Sequence, residues 1–254
     1  MKKLFFGLMA VMALFTMDAG AQVKKPLAKK KTTVSSKTKP VAKKPIKKLA
    51  VPSLSVANAT RIKIWTDSGT IIVKLYDSTP LHKENFMKLV KMGFYDSLLF
   101  HRVIPGFMIQ GGDPLSKDAS PGVMLGGGGG DMERIPAEIR REFIHKKGAL
   151  AAARDGNPAK ASSACQFYLV EGKILSDGEL DMMEQRLGFK YSAEQRKIYK
   201  TIGGTPFLDQ NYTVFGEVEQ GLEVISKIVN VSRDARDRPI GDVRMKMELM
   251  VAEK

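Results

Sequence analysis

Four residues around a Pro-Gly turn have the types and the spacing to form a binding surface with one charged donor. Arg102 precedes the turn at 105–106, and Phe107, Met108 and Gln110 follow it. Because side chains alternate between the faces of a strand, two strands joined by this turn can place alternate side chains of this set on one face. A rigid guanidinium beside water-excluding apolar groups suits electrostatic stabilisation of a bound group. Taken singly, each residue would also fit an ordinary core or surface position.

The other reactive residue types do not form a second recognisable site. Cys165 and His145 could act as nucleophile and base, but neither lies in a local signature of that chemistry, so we predict a small buried thiol. The three histidines lack metal-ligand spacing, and we expect structural or surface roles and no metal. No Gly-Lys-Ser/Thr follows the glycine run at 126–130, which favours a flexible loop over a phosphate-binding loop.

Short strand-like segments separated by turns must position these residues. Apolar and polar residues alternate over 61–76 around a turn at 67–69, which predicts a β-hairpin. Thr79-Pro80 predicts a helix start, with the helix ending near residue 92, and a second helix is predicted over 222–228. This pattern indicates a mainly β protein, a closed antiparallel barrel with a helix at each open end. The further strand-like segments are 100–104, 107–110, 148–153, 166–170, 213–218 and 244–251.

Residues 171–205 interrupt the strand pattern with two helical segments. Each segment opens with a capping-box sequence, Ser176-x-x-Glu179 and Ser192-x-x-Gln195. Leu180, Met183 and Leu187 mark the apolar stripe of the first segment, and Ile198 and Ile202 mark that of the second. We therefore predict an inserted helical hairpin that shapes a groove or contacts a partner, since surface loops tolerate insertions.

Three blocks of sequence resemble the cyclophilins, a family of peptidyl-prolyl cis-trans isomerases. They are Phe100–Asp113, then Gly148–Arg154 with Cys165–Tyr168, then Phe207–Asp209 with Tyr212–Gly216. The resemblance spans about residues 61–252. It implies an eight-stranded antiparallel barrel capped by two helices and an isomerase acting on proline-containing polypeptides. We expect no cofactor and a monomer.

The resemblance also implies which residues do the work. Arg102 is the expected catalytic residue. In two positions the chain departs from many eukaryotic members, with Phe207 in place of tryptophan and Tyr212 in place of histidine, and Arg154 replaces a common asparagine whose backbone makes the contact. The expected substrate-binding residues are Phe107, Met108, Gln110, Ala153, Arg154, Gln166, Phe167, Tyr168, Phe207, Leu208 and Tyr212.

The N-terminal residues have the composition of a secretory signal. Lys2-Lys3 precede an apolar run over 4–17, and small residues at 19–21 form an A-x-A pattern, so we expect a signal peptide over 1–21. A retained membrane anchor is the alternative, although the run is shorter than the roughly 20 residues that a bilayer requires. An exported bacterial protein of the periplasm or cell envelope is therefore predicted.

Most of the positive charge lies next to this signal. Of the net charge of +14, +11 lies in residues 24–48 and +1 in residues 1–23, which leaves +2 on 49–254. A nearly neutral folded part argues against specific nucleic-acid binding, which needs a basic patch on the fold. We predict a disordered Lys-rich tether over 22–58 followed by the isomerase domain, 59–254. The tether is either a solvated spacer or a weak contact to anionic surfaces.

A second function fits the same residues. The groove could hold proline-containing peptides without turnover, or the protein could be a chaperone in which the inserted hairpin holds the client. The two functions differ in one measurable property, because a binding module does not change the rate of isomerisation.

Overall fold

The computed structural model describes residues 59–250, and the predicted signal peptide and the predicted tether lie outside that range. The described residues contain four helices, α1 Pro80–Lys91, α2 Asp177–Leu187, α3 Ala193–Thr201 and α4 Leu222–Val229. None of these helices has the length and apolarity to cross a bilayer. The strands of the same range are β1 Arg61–Thr66, β2 Gly69–Leu75, β3 Phe100–Ile104, β4 Met108–Gly111, β5 Ala149–Ala152, β6 Phe167–Val170, β7 Val214–Gln220 and β8 Met245–Met250.

The eight strands of the described residues form one antiparallel sheet that curves into a half-barrel. Their order is β3-β4-β6-β5-β7-β2-β1-β8, so β3 and β8 are the edge strands. An isolated bridge between Leu99 and Arg244 joins the residues just before these two strands, and Met245 N–H donates to Leu98 O at 2.9 Å. No continuous ladder links β3 to β8, and the predicted closure of the barrel is therefore not confirmed.

Strands β4, β5 and β6 are buried on both faces, and their side chains divide between two apolar clusters. In β6, Phe167 and Leu169 belong to the main core, whereas Tyr168 and Val170 belong to a second cluster. Strand β5 divides in the same way, with Leu150 in the main core. Because consecutive side chains of a strand point to opposite faces, the second cluster lies on the face of the sheet opposite the main core, which is the face of the predicted site.

Helix α1 begins at Pro80, as predicted, but Thr79 does not cap it with its side chain. The Thr79 hydroxyl donates to Tyr76 O at 3.3 Å. The Glu138 carboxylate instead accepts from the backbone N–H groups of Leu81 at 3.1 Å and His82 at 3.0 Å. It also bonds His82 Nδ1 at 2.7 Å. A distant carboxylate thus satisfies the free donors of the helix N-terminus and favours its partial positive charge.

Helices α2 and α3, called the helical pair below, lie within the predicted insertion and form both predicted capping boxes, at Ser176 and at Ser192. Their apolar side chains belong to a third cluster, in which Leu180 and Tyr199 are fully buried. The expected stripe of α3 is partly wrong, because Ile202 is 47% exposed and Tyr199 is the buried residue. Tyr199 lies inside because its hydroxyl has a buried acceptor, described below.

The role of Glu138 is testable by substitution. Glu138→Ala removes the acceptor for two helix N–H groups and a histidine, and we expect the free energy of unfolding to fall by about 2 kcal/mol. Urea denaturation of the purified protein measures this difference. Glu133→Ala, at an exposed carboxylate, is the matched control and should change stability by less than about 0.5 kcal/mol. Equal stability losses in the two variants would contradict the capping role.

Candidate active site

A chain of amide hydrogen bonds fixes the polar side of the site. Arg102 and Gln110 lie opposite each other on β3 and β4, next to a register shift between Phe100 and Arg102. Arg102 Nη1 donates to Gln110 Oε1 at 3.4 Å, and Gln110 Nε2 donates to Gln166 Oε1 at 3.1 Å. Gln166 Nε2 in turn donates to two backbone carbonyls of the glycine run, each at 3.0 Å. The guanidinium is therefore held on a surface whose own orientation is set by the backbone.

Arg102 and Gln110 face a cavity of about 170 Å³. Its other walls are largely apolar, since Met108 and Leu208 are buried members of the second cluster and Phe107 packs against it. Phe207 lies outside the cavity lining, 43% exposed, with its ring 5.4 Å from that of Phe107. The residues that line the cavity are Arg102, Phe107, Met108, Gln110, Ala153, Arg154, Tyr168, Leu208 and Tyr212.

Arg154 and Tyr212 form one wall as a stacked pair. The Arg154 guanidinium lies 4.6 Å from the centre of the Tyr212 ring, a cation–π contact. Its Nε donates to Asn211 O and its Nη1 to Asp155 O, both at 2.8 Å. The side chain of Arg154 thus supports the wall, in addition to the backbone contact that sequence comparison implied. The Tyr212 ring also meets Tyr168 edge-on, with ring centres 6.0 Å apart.

Comparison with known proteins identifies the family of this chain. A family model described as "Cyclophilin type peptidyl-prolyl cis-trans isomerase/CLD" matches residues 61–248. This chain belongs to the cyclophilin family. A protein of Staphylococcus haemolyticus named as a peptidyl-prolyl cis-trans isomerase is 35% identical over 187 residues, which is 73% of this chain and 88% of the relative. The chain is therefore a peptidyl-prolyl cis-trans isomerase.

Two further comparisons extend over most of the folded part. A protein of Streptococcus pyogenes, named as a bifunctional phosphatase/peptidyl-prolyl cis-trans isomerase, is 34% identical over 202 residues, 78% of this chain and 40% of that protein. A crystal structure of a cyclophilin-type isomerase from Cryptosporidium parvum has a TM-score of 0.54 and 23% identity, and it covers 76% of this chain and 99% of its own. That structural likeness shows the fold.

One predicted pocket residue of this cyclophilin lies elsewhere. Phe167 is fully buried in the main core, where its ring lies 5.5 Å from Phe86 and 5.6 Å from Tyr95. Tyr168, the next residue, occupies the cavity wall. The two cannot share a face because neighbouring strand residues point in opposite directions. The sequence interpretation placed both in the pocket, and Phe167 is the wrong one.

A second cavity, of about 320 Å³, adjoins the first and shares Gln110, Ala153 and Arg154 with it. Its remaining walls include the glycine run, which the sequence predicts only as a flexible loop. A Cβ on Gly128 would lie 2.0 Å from Asp113 Oδ1, and one on Gly129 would lie 2.3 Å from Cys165 Sγ. Gly128 and Gly129 exclude side chains because the backbone passes this close to Asp113 and Cys165, and the run of five glycines is the signal for this in the sequence.

His101 lies beside Arg102 and is 4% exposed. Burial lowers the pKa of His101 to about 4, although the Asp113 carboxylate opposes this and favours the protonated form. His101 is therefore neutral at neutral pH, so it adds no charge beside the guanidinium. Burial likewise holds the pKa of Tyr168 well above its usual range, so its hydroxyl remains a hydrogen-bond donor.

The lowered pKa of His101 predicts acid sensitivity. The folded pKa of about 4 lies below the usual value of about 6.5, so the unfolded chain binds the proton first and stability is lost as pH falls through this window. Urea denaturation at pH 7 and pH 5 should show a loss of about 2 kcal/mol from this residue. His101→Gln should remove this contribution. Burial also lowers the pKa of His82, so part of the stability loss between pH 7 and pH 5 should remain in the variant. An identical loss in wild type and His101→Gln would contradict this assignment.

Proposed function

We propose that this cyclophilin accelerates rotation about X-Pro bonds in exported polypeptides and assists their folding, with Arg102 as the catalytic residue. The observation that supports the role of Arg102 is a cavity with a guanidinium and an amide on one side and apolar side chains on the other. In this proposal the proline ring lies against the apolar side. The Cryptosporidium parvum isomerase was also crystallised in the presence of the dipeptide Ala-Pro, which supports a proline-containing peptide as the ligand here.

The reaction requires a selective hydrogen bond rather than a nucleophile. Delocalisation of the amide lone pair gives a rotation barrier of roughly 18–20 kcal/mol, and uncatalysed exchange at proline takes on the order of tens to hundreds of seconds. As the bond twists, the lone pair returns to the prolyl nitrogen. A donor that bonds this nitrogen only in the twisted state lowers the barrier without tightening the ground state.

The residues around Arg102 suit this task. A guanidinium carries its charge throughout the working pH range and offers donors in one rigid plane, and Gln110 holds one of them. Apolar walls from Phe107, Met108 and Leu208 exclude water and strengthen the electrostatic effect of the donor. Cys165 takes no part in this mechanism, because burial raises the pKa of its thiol and keeps it protonated.

Substitution of Arg102 tests the mechanism. In a protease-coupled proline-peptide assay, Arg102→Ala should lower kcat/KM by roughly 10²–10³-fold, the usual cost of removing one preorganised donor. Arg102→Lys should recover only part of this loss, because an ammonium lacks the planar set of donors. Arg186→Ala, at an exposed arginine of α2, is the matched control and should match wild type. Equal activity of wild type and Arg102→Ala would remove Arg102 from the mechanism.

The same assay separates catalysis from simple binding. A non-catalytic peptide-binding module or chaperone would bind a proline-containing peptide and leave its isomerisation rate unchanged. Ile174 and Met182 at the helical pair are exposed apolar side chains, which is the feature that favours a holding role. Titration calorimetry alongside the rate measurement distinguishes the two functions, since an isomerase gives both binding and acceleration.

Export rests on the composition of residues 1–21 and has its own test. Expressed in a bacterium with its native N-terminus, the protein should be recovered from the cell envelope with Gln22 as its first residue. Charged substitutions in the apolar run, Leu8→Arg with Leu14→Arg, should retain the full-length chain in the cytoplasm. Recovery of uncleaved wild type in membranes would favour the anchor, and uncleaved wild type in the cytoplasm would contradict export.

A further inference from the structure

The buried carboxylate of Asp209 contacts the helical pair and lies next in the chain to a residue that lines the cavity. Asp209 follows Leu208 in the chain and is fully buried. Its Oδ2 accepts from the hydroxyls of Tyr191 at 2.7 Å and Tyr199 at 2.5 Å, one just before α3 and one within it. Its Oδ1 bonds the backbone N–H of His145 at 2.8 Å and His145 Nδ1 at 2.7 Å. Four contacts satisfy one carboxylate, which compensates for its burial.

The hydrogen bonds continue from His145 to the cavity wall. A carboxylate only accepts, so Nδ1 of His145 donates to Asp209. Nε2 lies 3.0 Å from the Tyr168 hydroxyl and shares a hydrogen bond with it. The His145 and Tyr168 rings are nearly parallel, with centres 6.0 Å apart. Tyr168 in turn lines the cavity. The path from the helical pair to the cavity is unbroken.

Backbone hydrogen bonds also join the chain that leaves α3 to the segment around His145. Thr205 N–H donates to His145 O at 2.8 Å, and Lys147 N–H donates to Gly203 O at 2.9 Å. A Cβ on Gly204 would lie 2.3 Å from His145 O and 2.6 Å from Tyr199 Cε1. The chain that leaves α3 therefore passes so close to His145 that only glycine fits. The chain that leaves α3 is thus packed directly against the backbone of His145.

We infer that the helical pair positions the proline-binding wall of this isomerase, with Tyr191 and Tyr199 holding Tyr168 through Asp209 and His145. Of the five residues on this path, only Tyr168 lines the cavity. The other four, Tyr191, Tyr199, Asp209 and His145, are therefore positioning residues. The inference rests on the proposed role of the cavity. It gives the predicted insertion a task inside the enzyme, distinct from holding clients on its outer surface.

A purely structural role would give the same hydrogen bonds, so the test must measure coupling. Tyr191→Phe with Tyr199→Phe removes both donors and keeps both rings. In the full chain we expect this double variant to lower kcat/KM for a proline tetrapeptide by roughly threefold to tenfold. Tyr168→Phe should cause a loss of similar size. In the Tyr168→Phe background, the helical-pair substitutions should change kcat/KM by less than about 1.5-fold, because the path is already cut.

A matched control excludes a general effect of losing buried hydroxyls. The Tyr95 hydroxyl is buried in the main core and donates to Cys165 O at 3.1 Å. Tyr95→Phe should lower the melting temperature as the other variants do, and it should leave kcat/KM unchanged. Equal losses of kcat/KM from the helical-pair substitutions in both backgrounds, or no loss in either, would overturn the inference. Should the double variant not fold, Tyr191→Phe alone serves in the same cycle.

A spectroscopic measurement keeps this inference separate from the catalytic assignment. The ring ¹⁵N shifts of His145 report the hydrogen bonds that its two ring nitrogens make. Both Tyr199→Phe and Tyr168→Phe should shift these resonances, whereas Tyr95→Phe should not. An inactive wild type that shows these shifts would contradict the catalytic assignment and support the coupling. Resonances that do not respond to Tyr199→Phe would overturn the coupling.

Discussion

The two-residue period of strands β4, β5 and β6 is the constraint on which the site depends. These strands are covered on both faces, so one set of side chains fills the main core and the other set forms the second cluster. Met108 and Tyr168 reach the cavity for the same reason that Ile109 and Phe167 do not. A change of register by one residue would exchange the two sets, and the packing of the main core prevents it.

On this scaffold the polar groups of the site are held by other polar groups. Arg102 is bonded to Gln110, Gln110 to Gln166, and Gln166 to the backbone of the glycine run. Each link limits the freedom of the one before it. A donor that is already oriented needs little reorganisation when charge develops on the bound peptide, and this is where electrostatic catalysis gains most. The close approach of Gly128 and Gly129 to the barrel completes this chain.

The departures from the familiar cyclophilin pattern are consistent with one another. Tyr212 offers a ring face where many members have histidine, and the Arg154 guanidinium packs on that face. Phe207 keeps an apolar ring against Phe107 at the rim. Beside Tyr212, the Tyr168 hydroxyl is hydrogen-bonded to His145. The wall of the cavity is thus built from side chains that support each other rather than from isolated substitutions.

Features whose causes are local could be predicted from the sequence. The hairpin at 61–76, the two capping boxes and the shared face of Arg102 and Gln110 follow from side-chain period and from contacts between near neighbours. Tertiary structure decided which aromatic ring of the Phe167-Tyr168 pair enters the cavity, because both are apolar enough for either face. It also decided that Glu138 caps α1 and that Asp209 collects donors from His145 and the helical pair. These contacts join residues far apart in the chain, and no local pattern records which distant donor a buried carboxylate will meet.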